Sequence, residues 1–277
     1  MALFTVFGNP ISHSLSPAIH HAFAAQVNLP VTYTRSLTSL GQFRRAVTAF
    51  FQQGGMGANV TVPFKEQACA LASQRTARAQ QAGAVNTLVA TGCGQLLGDN
   101  TDGIGLVAAL HQHCQQQLAQ RAIVICGAGG AARGVIGPLL AQQVSQIIIA
   151  NRTLTRAQAL AAQFAAALPA TTKLYACCYQ HLVIPPGALV LQATSAGLHG
   201  QVLPIRLHEL AKAGCFYDMQ YGASATPMMQ LAQQAGVAQV FDGLSMLVEQ
   251  AAAAFQLWHP DAVLDTAAVL AQIRAQL

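Results

Sequence analysis

Two apolar periods alternate along the chain. Short apolar runs of strand length are followed by stretches whose apolar residues recur every three or four positions, as in helices. The first run, Leu3 to Phe7, leads through a polar loop to a helix opening at Ser16-Pro17, where proline suits the first turn. A strand at Val31–Leu37 precedes a helix over about 39–53, closed by Gly54-Gly55. The strand Ala58–Val62 runs into a short helix at 64–72, and Ala84–Ala90 turns at 91–94 into 95–97. A long helix then follows the polar segment 98–103, reaching about Gln117.

From Ala122 the pattern restarts: strand 122–126, a glycine turn, a helix, strand 146–150, and a helix over about 155–168. Further strands are expected at 189–192, 215–219 and 237–241, and the last 34 residues read as two helices. Such alternation predicts an α/β protein with mainly parallel sheets. We place a boundary near Asp102, with residues 1–102 as a first domain, 103–243 as a second and the long helix as the bridge.

Composition narrows the class. The 277 residues are 53% hydrophobic and 8% charged, against a usual charged share of about 25%. That balance excludes disorder and predicts a large core. The most apolar window, 122–141, carries Arg133, Pro138 and five glycines, so it makes a poor membrane span. No basic segment followed by an apolar stretch opens the chain, and the expected location is cytoplasmic. The formal charge of +5 reflects scarce acids more than a basic block, which argues against a nucleic-acid partner. Seven cysteines, an odd number without CxxC, point to reduced thiols. No HExxH occurs among the nine histidines, and no metal is expected.

Gly127-Ala128-Gly129-Gly130-Ala131-Ala132 fits G-x-G-x-x-A between a strand and a helix. Glycines there let backbone N–H groups approach a dinucleotide pyrophosphate at a helix N-terminus. NAD-specific turns place an acid on the ribose hydroxyls about 20 residues on. Here the next strand ends in Asn151-Arg152-Thr153, with Arg156 one turn later and no acid nearby. An arginine fork suits a 2′-phosphate, and cations at a helix start are unfavourable unless an anion meets them. The expected cofactor is NADP(H).

Only three lysines exist, and Lys65 directly follows the strand-like Val60-Thr61-Val62-Pro63-Phe64. Asp102 lies in Gly98-Asp99-Asn100-Thr101-Asp102-Gly103. Singly, Lys65 reads as a surface residue and Asp102 as a helix cap. Together, both close strands at the edge where open α/β sheets bind ligands, and a lysine with an aspartate in a cleft makes a proton-transfer pair. Ser12, Ser14 and Ser16 line a hydroxyl-rich loop around His13. Asn59 and Thr61 share a strand face, and Asn86 lies in a polar pair. Such groups on a buried edge need partners, which a polyhydroxylated ligand would supply.

The segments GNPISHSLSP, GGMGANVTVPFKE, AGAVNT, GDNTDG, GAGGAARG, NRTLTR, YDMQYG and DGLSMLVEQAAAAF, in this order from residue 7 to about 258, resemble the shikimate dehydrogenase family. The resemblance implies reversible, NADP-dependent reduction of 3-dehydroshikimate to shikimate on the route to chorismate and the aromatic amino acids. It implies a substrate domain and a Rossmann-like NADP domain flanking a cleft, with helices of 244–277 returning to the first domain. It puts the substrate carboxylate at Ser14 and Ser16 with the Tyr221 hydroxyl, and the ring hydroxyls at Asn59, Thr61, Asn86 and Gln250. Lys65 and Asp102 become the catalytic pair. Cofactor contacts fall at Gly127, Ala128, Gly129, Gly130, Ala131, Asn151, Arg152, Thr153, Arg156, Thr194, Met219 and Gly243.

Three positions depart from the family pattern: Gln192 in place of asparagine, Ser245 in place of glycine, and Gln220 in place of a small or apolar residue. We read them as tuning, since none touches Lys65, Asp102 or the serines. Neighbouring readings are a quinate/shikimate dehydrogenase, a catalytically idle NADP or shikimate sensor, and a folate-linked methylene dehydrogenase. Arg152 without a nearby acid, the intact Lys65 and Asp102, and the serine loop weigh against them in turn. Monomer and homodimer both remain open.

Overall fold

The computed structural model describes residues 2–92, 94–194, 196 and 200–277. The chain begins with β1 (Ala2–Gly8), α1 (Ser16–Gln26), β2 (Val31–Leu37), α2 (Phe43–Gln52), β3 (Gly55–Val60) and α3 (Lys65–Leu71). It continues with β4 (Gln74–Arg75), α4 (Ala77–Ala82), β5 (Thr87–Gly92), β6 (Gln95–Asp99) and α5 (Asp102–Gln112). Then come β7 (Ala122–Cys126), α6 (Gly130–Ala141), β8 (Gln146–Ala150), α7 (Leu154–Phe164), β9 (Lys173–Cys177) and β10 (Leu189–Gln192). The remainder is α8 (Leu207–Leu210), β11 (Cys215–Asp218), α9 (Pro227–Gln234), β12 (Val240–Phe241), α10 (Leu244–Trp258) and α11 (Thr266–Arg274). Two compact units result, one from residues 1–106 with 247–276 and the other from 107–246.

In the first unit the strand order is β2-β1-β3-β5-β6-β4. All neighbours are parallel except β5, which runs antiparallel to both β3 and β6. β1 shows the period of two. Phe7 faces a core with Phe43, Val47, Val60, Phe64 and Leu88, while Phe4 and Val6 face Tyr33 and Trp258. Phe43 and Phe64 stack with ring centres 4.7 Å apart, so the residue just before Lys65 is anchored in the core. On the other face, Trp258 of the returning α10 lies flat on β3: a Cβ on Gly57 would meet its Nε1 at 2.2 Å. The indole N–H donates to the Leu88 carbonyl at 3.1 Å.

The second unit is a six-stranded, all-parallel sheet, order β12-β11-β10-β7-β8-β9. Counted from β7, that is the 3-2-1-4-5-6 order of a doubly wound dinucleotide fold. Its central strands are continuous apolar runs, as expected for strands covered on both faces. Ile123, Val124, Ile125 and Cys126 are all fully buried.

Several elements differ from the sequence expectations. The strand expected over 84–90 begins only at Thr87, because the Val85 N–H donates to the Lys65 carbonyl at the start of α3 rather than to a neighbouring strand; the following turn contains Cys93, outside the described residues. The helix expected from residue 39 starts at Phe43. The bridging helix stops at Gln112 rather than 117, where Gln115 adopts φ 52° and the Gln116 side chain donates to the Cys114 carbonyl. Elements β4, α4, β9, α8 and α9 were not expected. Two carried signals: Thr76 and Thr226 cap α4 and α9 through their hydroxyls, and Gly83 ends α4 at φ 60°.

His20 of α1 is buried among Phe23, Tyr33, Phe255 and Trp258, and neither ring nitrogen has a hydrogen-bond partner. Burial pushes its pKa down to about 3, opposed by the nearby Asn59 and reinforced by His21 and His259. The folded state therefore keeps this imidazole neutral while the unfolded chain takes up a proton below about 6.5. Stability contributed by His20 is present above that pH and is lost as acid is added, by about 1.4 kcal/mol per unit. Relative to His20→Phe, which keeps the stack, the wild type is expected to lose stability from pH 7 toward pH 4. Urea titrations at several pH values measure this, and parallel curves would refute the assignment.

Candidate active site

β3 and β6 point the same way, since β5 runs antiparallel to both. Their C-terminal ends thus lie on one sheet edge. Lys65 opens α3 shortly after β3 ends at Val60, and Asp102 opens α5 shortly after β6 ends at Asp99. The two side chains meet there, Nζ to Oδ2 at 2.5 Å, with 13% and 6% of their surfaces exposed. A carboxylate suits the first turn of α5, whereas a cation at the start of α3 does not. The ammonium therefore gains from reaching across to Asp102.

Asn86 organises the groups around this pair. Its Oδ1 accepts from the Thr101 N–H and the Thr87 hydroxyl, both at 2.9 Å. Its Nδ2 faces Thr101 Oγ1 at 2.9 Å, Asp102 Oδ1 at 2.8 Å and Gln250 Oε1 at 3.1 Å. An amide nitrogen has two hydrogens for these three acceptors. The three oxygens share two hydrogens, so the cluster keeps spare capacity to accept from a bound hydroxyl. Gln250 of α10 is itself oriented by donating to the Leu247 carbonyl at 2.8 Å.

Asn59 at the end of β3 is buried and accepts from the Tyr33 hydroxyl at 2.7 Å. Ser14 and Ser16 are buried side by side, Oγ to Oγ at 3.2 Å. Arg35 supports their loop by donating to the Ser14 carbonyl at 2.8 Å. Ser16 is not the cap of α1; Leu15 occupies that position, and the serine hydroxyl is left for other partners. Thr61 is half-buried, and its methyl packs over residue 8 only because that residue is glycine: a Cβ there would sit 2.6 Å from it. The first unit therefore brings together Lys65, Asp102, Asn86 and Gln250 in one network, with the Asn59 amide donating to the Asn86 carbonyl at 3.3 Å. Tyr221 belongs to the second unit, half-buried on the loop after β11.

Asp99 has a different task from Asp102. It is fully buried, paired with the Arg78 guanidinium through both oxygens, and accepts from the Thr76 hydroxyl at 2.5 Å and the Asn100 N–H at 2.7 Å. Asn100 in turn accepts from the Asp102 N–H at 3.1 Å and donates to the Ala84 carbonyl. The segment 99–102 is thus a braced turn that presents the Asp102 carboxylate.

In the second unit, Gly127 ends β7 at φ 123°, and a Cβ there would meet Thr194 Cγ2 at 2.9 Å. Gly129 caps α6 with no side chain, and a Cβ on it would meet nothing within 4 Å. Open space beside unsatisfied first-turn N–H groups, including those of Gly130 and Ala131, fits a pyrophosphate. Beyond β8, Asn151 braces its turn by donating to the Thr153 carbonyl at 2.9 Å, and Arg152 and Arg156 are exposed. No acid occurs anywhere between Asp102 and Glu209. These residues fit the phosphates of NADP.

The three departures are built into this unit. Gln192 is fully buried and its Oε1 accepts from the Thr194 N–H at 2.8 Å, while Gln220 donates to the Thr194 carbonyl at 2.8 Å. Both glutamines therefore pin Thr194; Ser195 and Gly197 beyond it lie outside the described residues. Ser245 hydrogen-bonds the buried Tyr217 hydroxyl at 3.0 Å. Met219 donates to the Gln192 carbonyl, and Gly243 is forced to be small, since a Cβ would lie 2.4 Å from the Met219 carbonyl oxygen. Asp218, which the sequence reading passed over, is pushed up to about 6 by burial despite hydrogen bonds from Thr226 and the Gln220 N–H. Among the described residues, no group of three or more His, Cys, Asp or Glu side chains could hold a metal ion, and no helix is long and apolar enough to cross a membrane.

Comparison with known proteins matches three family models: the shikimate dehydrogenase substrate binding domain over residues 6–88, shikimate/quinate 5-dehydrogenase over 109–184, and the shikimate 5′-dehydrogenase C-terminal domain over 243–274. The shikimate dehydrogenase (NADP(+)) of Cellvibrio japonicus is 45% identical, covering 99% of this chain and 98% of that protein. That of Alcanivorax borkumensis is 48% identical, covering 98% and 96%. The chain belongs to the shikimate dehydrogenase family. The solved shikimate 5-dehydrogenase of Thermus thermophilus, in complex with NADP(H) and shikimate, superposes with TM-score 0.82 at 31% identity over the full length of both chains.

Membership of this family does not by itself explain the braced turn, which has a test of its own. Asp99→Asn keeps the shape but leaves Arg78 without its counter-charge. Arg78 is about a third exposed, so the expected loss is about 2–3 kcal/mol of folding stability, below that of a fully buried pair. The urea midpoint read by Trp258 fluorescence measures it, and a shift near zero would show that the pair is not bracing the turn.

Proposed function

We propose that this member of the shikimate dehydrogenase family interconverts 3-dehydroshikimate and shikimate with NADP(H), serving the route to chorismate and the aromatic amino acids. The observation that carries the reading is the Lys65–Asp102 pair at 2.5 Å, joined through Asn86 to Gln250 at the same sheet edge. A ring bearing a carboxylate, vicinal hydroxyls and one carbonyl matches that set. The paired serines 14 and 16, helped by the Tyr221 hydroxyl, take the carboxylate. Asn59, Thr61, Asn86 and Gln250 take the ring hydroxyls.

When bound, the nicotinamide supplies hydride chemistry at the substrate carbon. Lys65 handles the proton at the oxygen: its ammonium donates to the carbonyl oxygen during reduction and its amine recovers the proton from the alcohol during oxidation. Asp102 accepts a hydrogen bond from Nζ in the charged state, which holds the ammonium in place and stabilises it. Asn86 Nδ2 faces the second Asp102 oxygen at 2.8 Å, which favours the carboxylate orientation that meets the lysine. In the second unit, residues 127–131 would hold the pyrophosphate, and Asn151, Arg152, Thr153 and Arg156 the 2′-phosphate. Thr194, Met219 and Gly243 would border the nicotinamide. A cytoplasmic location goes with this reading, and the six described cysteines are all free thiols, as suits a reducing compartment.

The test is an initial-rate assay at 340 nm with shikimate and quinate, each with NADP⁺ and NAD⁺. Turnover confined largely to shikimate with NADP⁺ supports the reading, and no turnover of shikimate overturns it. Lys65→Ala is expected to lower kcat by about 10²–10⁴-fold with a smaller change in KM, as when a general acid–base is removed; an unchanged kcat would refute its role. Arg152→Ala is expected to weaken NADP⁺ binding by about ten- to a hundredfold, read by calorimetry, and NAD⁺ binding hardly at all. Equal losses for both cofactors would mean that Arg152 does not contact the 2′-phosphate.

A further inference from the structure

β2 is an exposed or half-buried strand along most of its length, yet Tyr33 within it is buried, 4% exposed. Three contacts fix the residue. Its ring stacks on the His20 imidazole, centres 4.4 Å apart and planes 8° from parallel. Its backbone N–H donates to His21 Nε2 at 3.3 Å. Its β2 position pairs with Phe4 of β1 in parallel register. Packing alone would be served as well by phenylalanine, because a buried hydroxyl costs desolvation unless it is bonded.

The hydroxyl is bonded, and its partner is informative. It donates to Asn59 Oδ1 at 2.7 Å, a buried side-chain pair with no backbone involved. Burial pushes the phenol well above its usual range, opposed by the nearby Ser16 hydroxyl, so it remains a protonated donor. The two ends of an asparagine amide are nearly the same shape, and only hydrogen bonds decide which way it points. Asn59 Nδ2 donates to the Asn86 carbonyl at 3.3 Å and to Thr87 Oγ1 at 3.1 Å, which fixes the sense of the amide and leaves Oδ1 to the phenol. One Oδ1 lone pair then remains to accept a hydrogen from a ligand hydroxyl. Without the phenol, the amide keeps its sense, because the Asn86 carbonyl can only accept, but Oδ1 loses the contact that holds it in place.

We propose that Tyr33 is a positioning residue for substrate: its hydroxyl, donating to Oδ1, anchors the Asn59 amide in place, so that the same oxygen can accept a hydrogen bond from a ring hydroxyl. The proposal rests on the reading of Asn59 as a substrate contact given above. Tyr33 also stands between the two halves of that site, with its hydroxyl on Asn59 and the Ser16 hydroxyl close by. It acts through Asn59 and takes no part in proton or hydride transfer. Its loss should therefore appear in substrate binding and leave the chemical step nearly unchanged.

The experiment is a double-mutant cycle on shikimate binding with Tyr33→Phe and Asn59→Ala, in the presence of NADP⁺. Tyr33→Phe is expected to raise the shikimate KM and Kd about tenfold, the value of one well-placed buried hydrogen bond. It should change kcat by less than about threefold and leave the NADP⁺ Kd unaltered. In the Asn59→Ala background the same substitution should add nothing. A Tyr33→Phe protein with unchanged shikimate affinity overturns the proposal. So does an equal loss with and without Asn59, which would mean a general loosening. A second measurement keeps the test independent of folding: Tyr33→Phe should unfold at nearly the wild-type urea midpoint, and a shikimate loss that appears only together with a large midpoint shift overturns the proposal. Wild-type turnover of shikimate together with a silent Tyr33→Phe would remove Tyr33 from the site and leave the proposed function standing. Absence of shikimate binding by the wild type would remove both.

Discussion

The hydrogen-bonding capacity of a single buried amide, that of Asn86, constrains the first unit more than any other group. Its side chain joins the start of β5 to the turn after β6 and to α10. Its backbone carbonyl accepts from Val60 at the end of β3, and its N–H donates to the Asp99 carbonyl. Buried polar groups of this kind are expensive when unpaired and specific when paired. The cost of leaving them unpaired therefore selects one arrangement of three strand ends and a helix far away in sequence. The lysine and aspartate are held in contact by that arrangement rather than by their own attraction alone.

Much of this was legible in the sequence, and for identifiable reasons. Strands β7, β8, β10 and β11 are continuous apolar runs between turns, which periodicity detects well. The glycine turn at 127–132 is local, so its spacing carries its geometry. Lys65 and Asp102 stood out because charge is so scarce in this chain. Their contact, by contrast, depends on β5 lying antiparallel between β3 and β6, and nothing in the local pattern specifies that order.

The parts that escaped notice are those defined by partners distant in sequence. Asp99 and Asp102 look alike in the string GDNTDG; only the position of Arg78, 21 residues earlier, separates the buried brace from the carboxylate that meets Lys65. Tyr33 did leave a trace, an aromatic residue among polar ones on β2, but its meaning requires knowing that Asn59 lies across β1 from it. Gln192 and Gln220 read as independent departures from the family pattern. In space they converge on the two backbone groups of Thr194.

The acid-free stretch from Asp102 to Glu209 has a consequence in kinetics rather than affinity. It carries five arginines and one lysine, of which Arg206 lies 3.8 Å from the Glu209 carboxylate just beyond the stretch. The stretch therefore presents a net positive field. An approaching polyphosphate would feel that field over roughly a Debye length, about 10 Å at 0.1 M salt, before any specific contact forms. Capture of such an anion should be fast and should slow as ionic strength rises, while its departure, governed by short-range contacts, stays nearly insensitive to salt. A chain so poor in charge thus uses the few charges it has to set how quickly it is loaded.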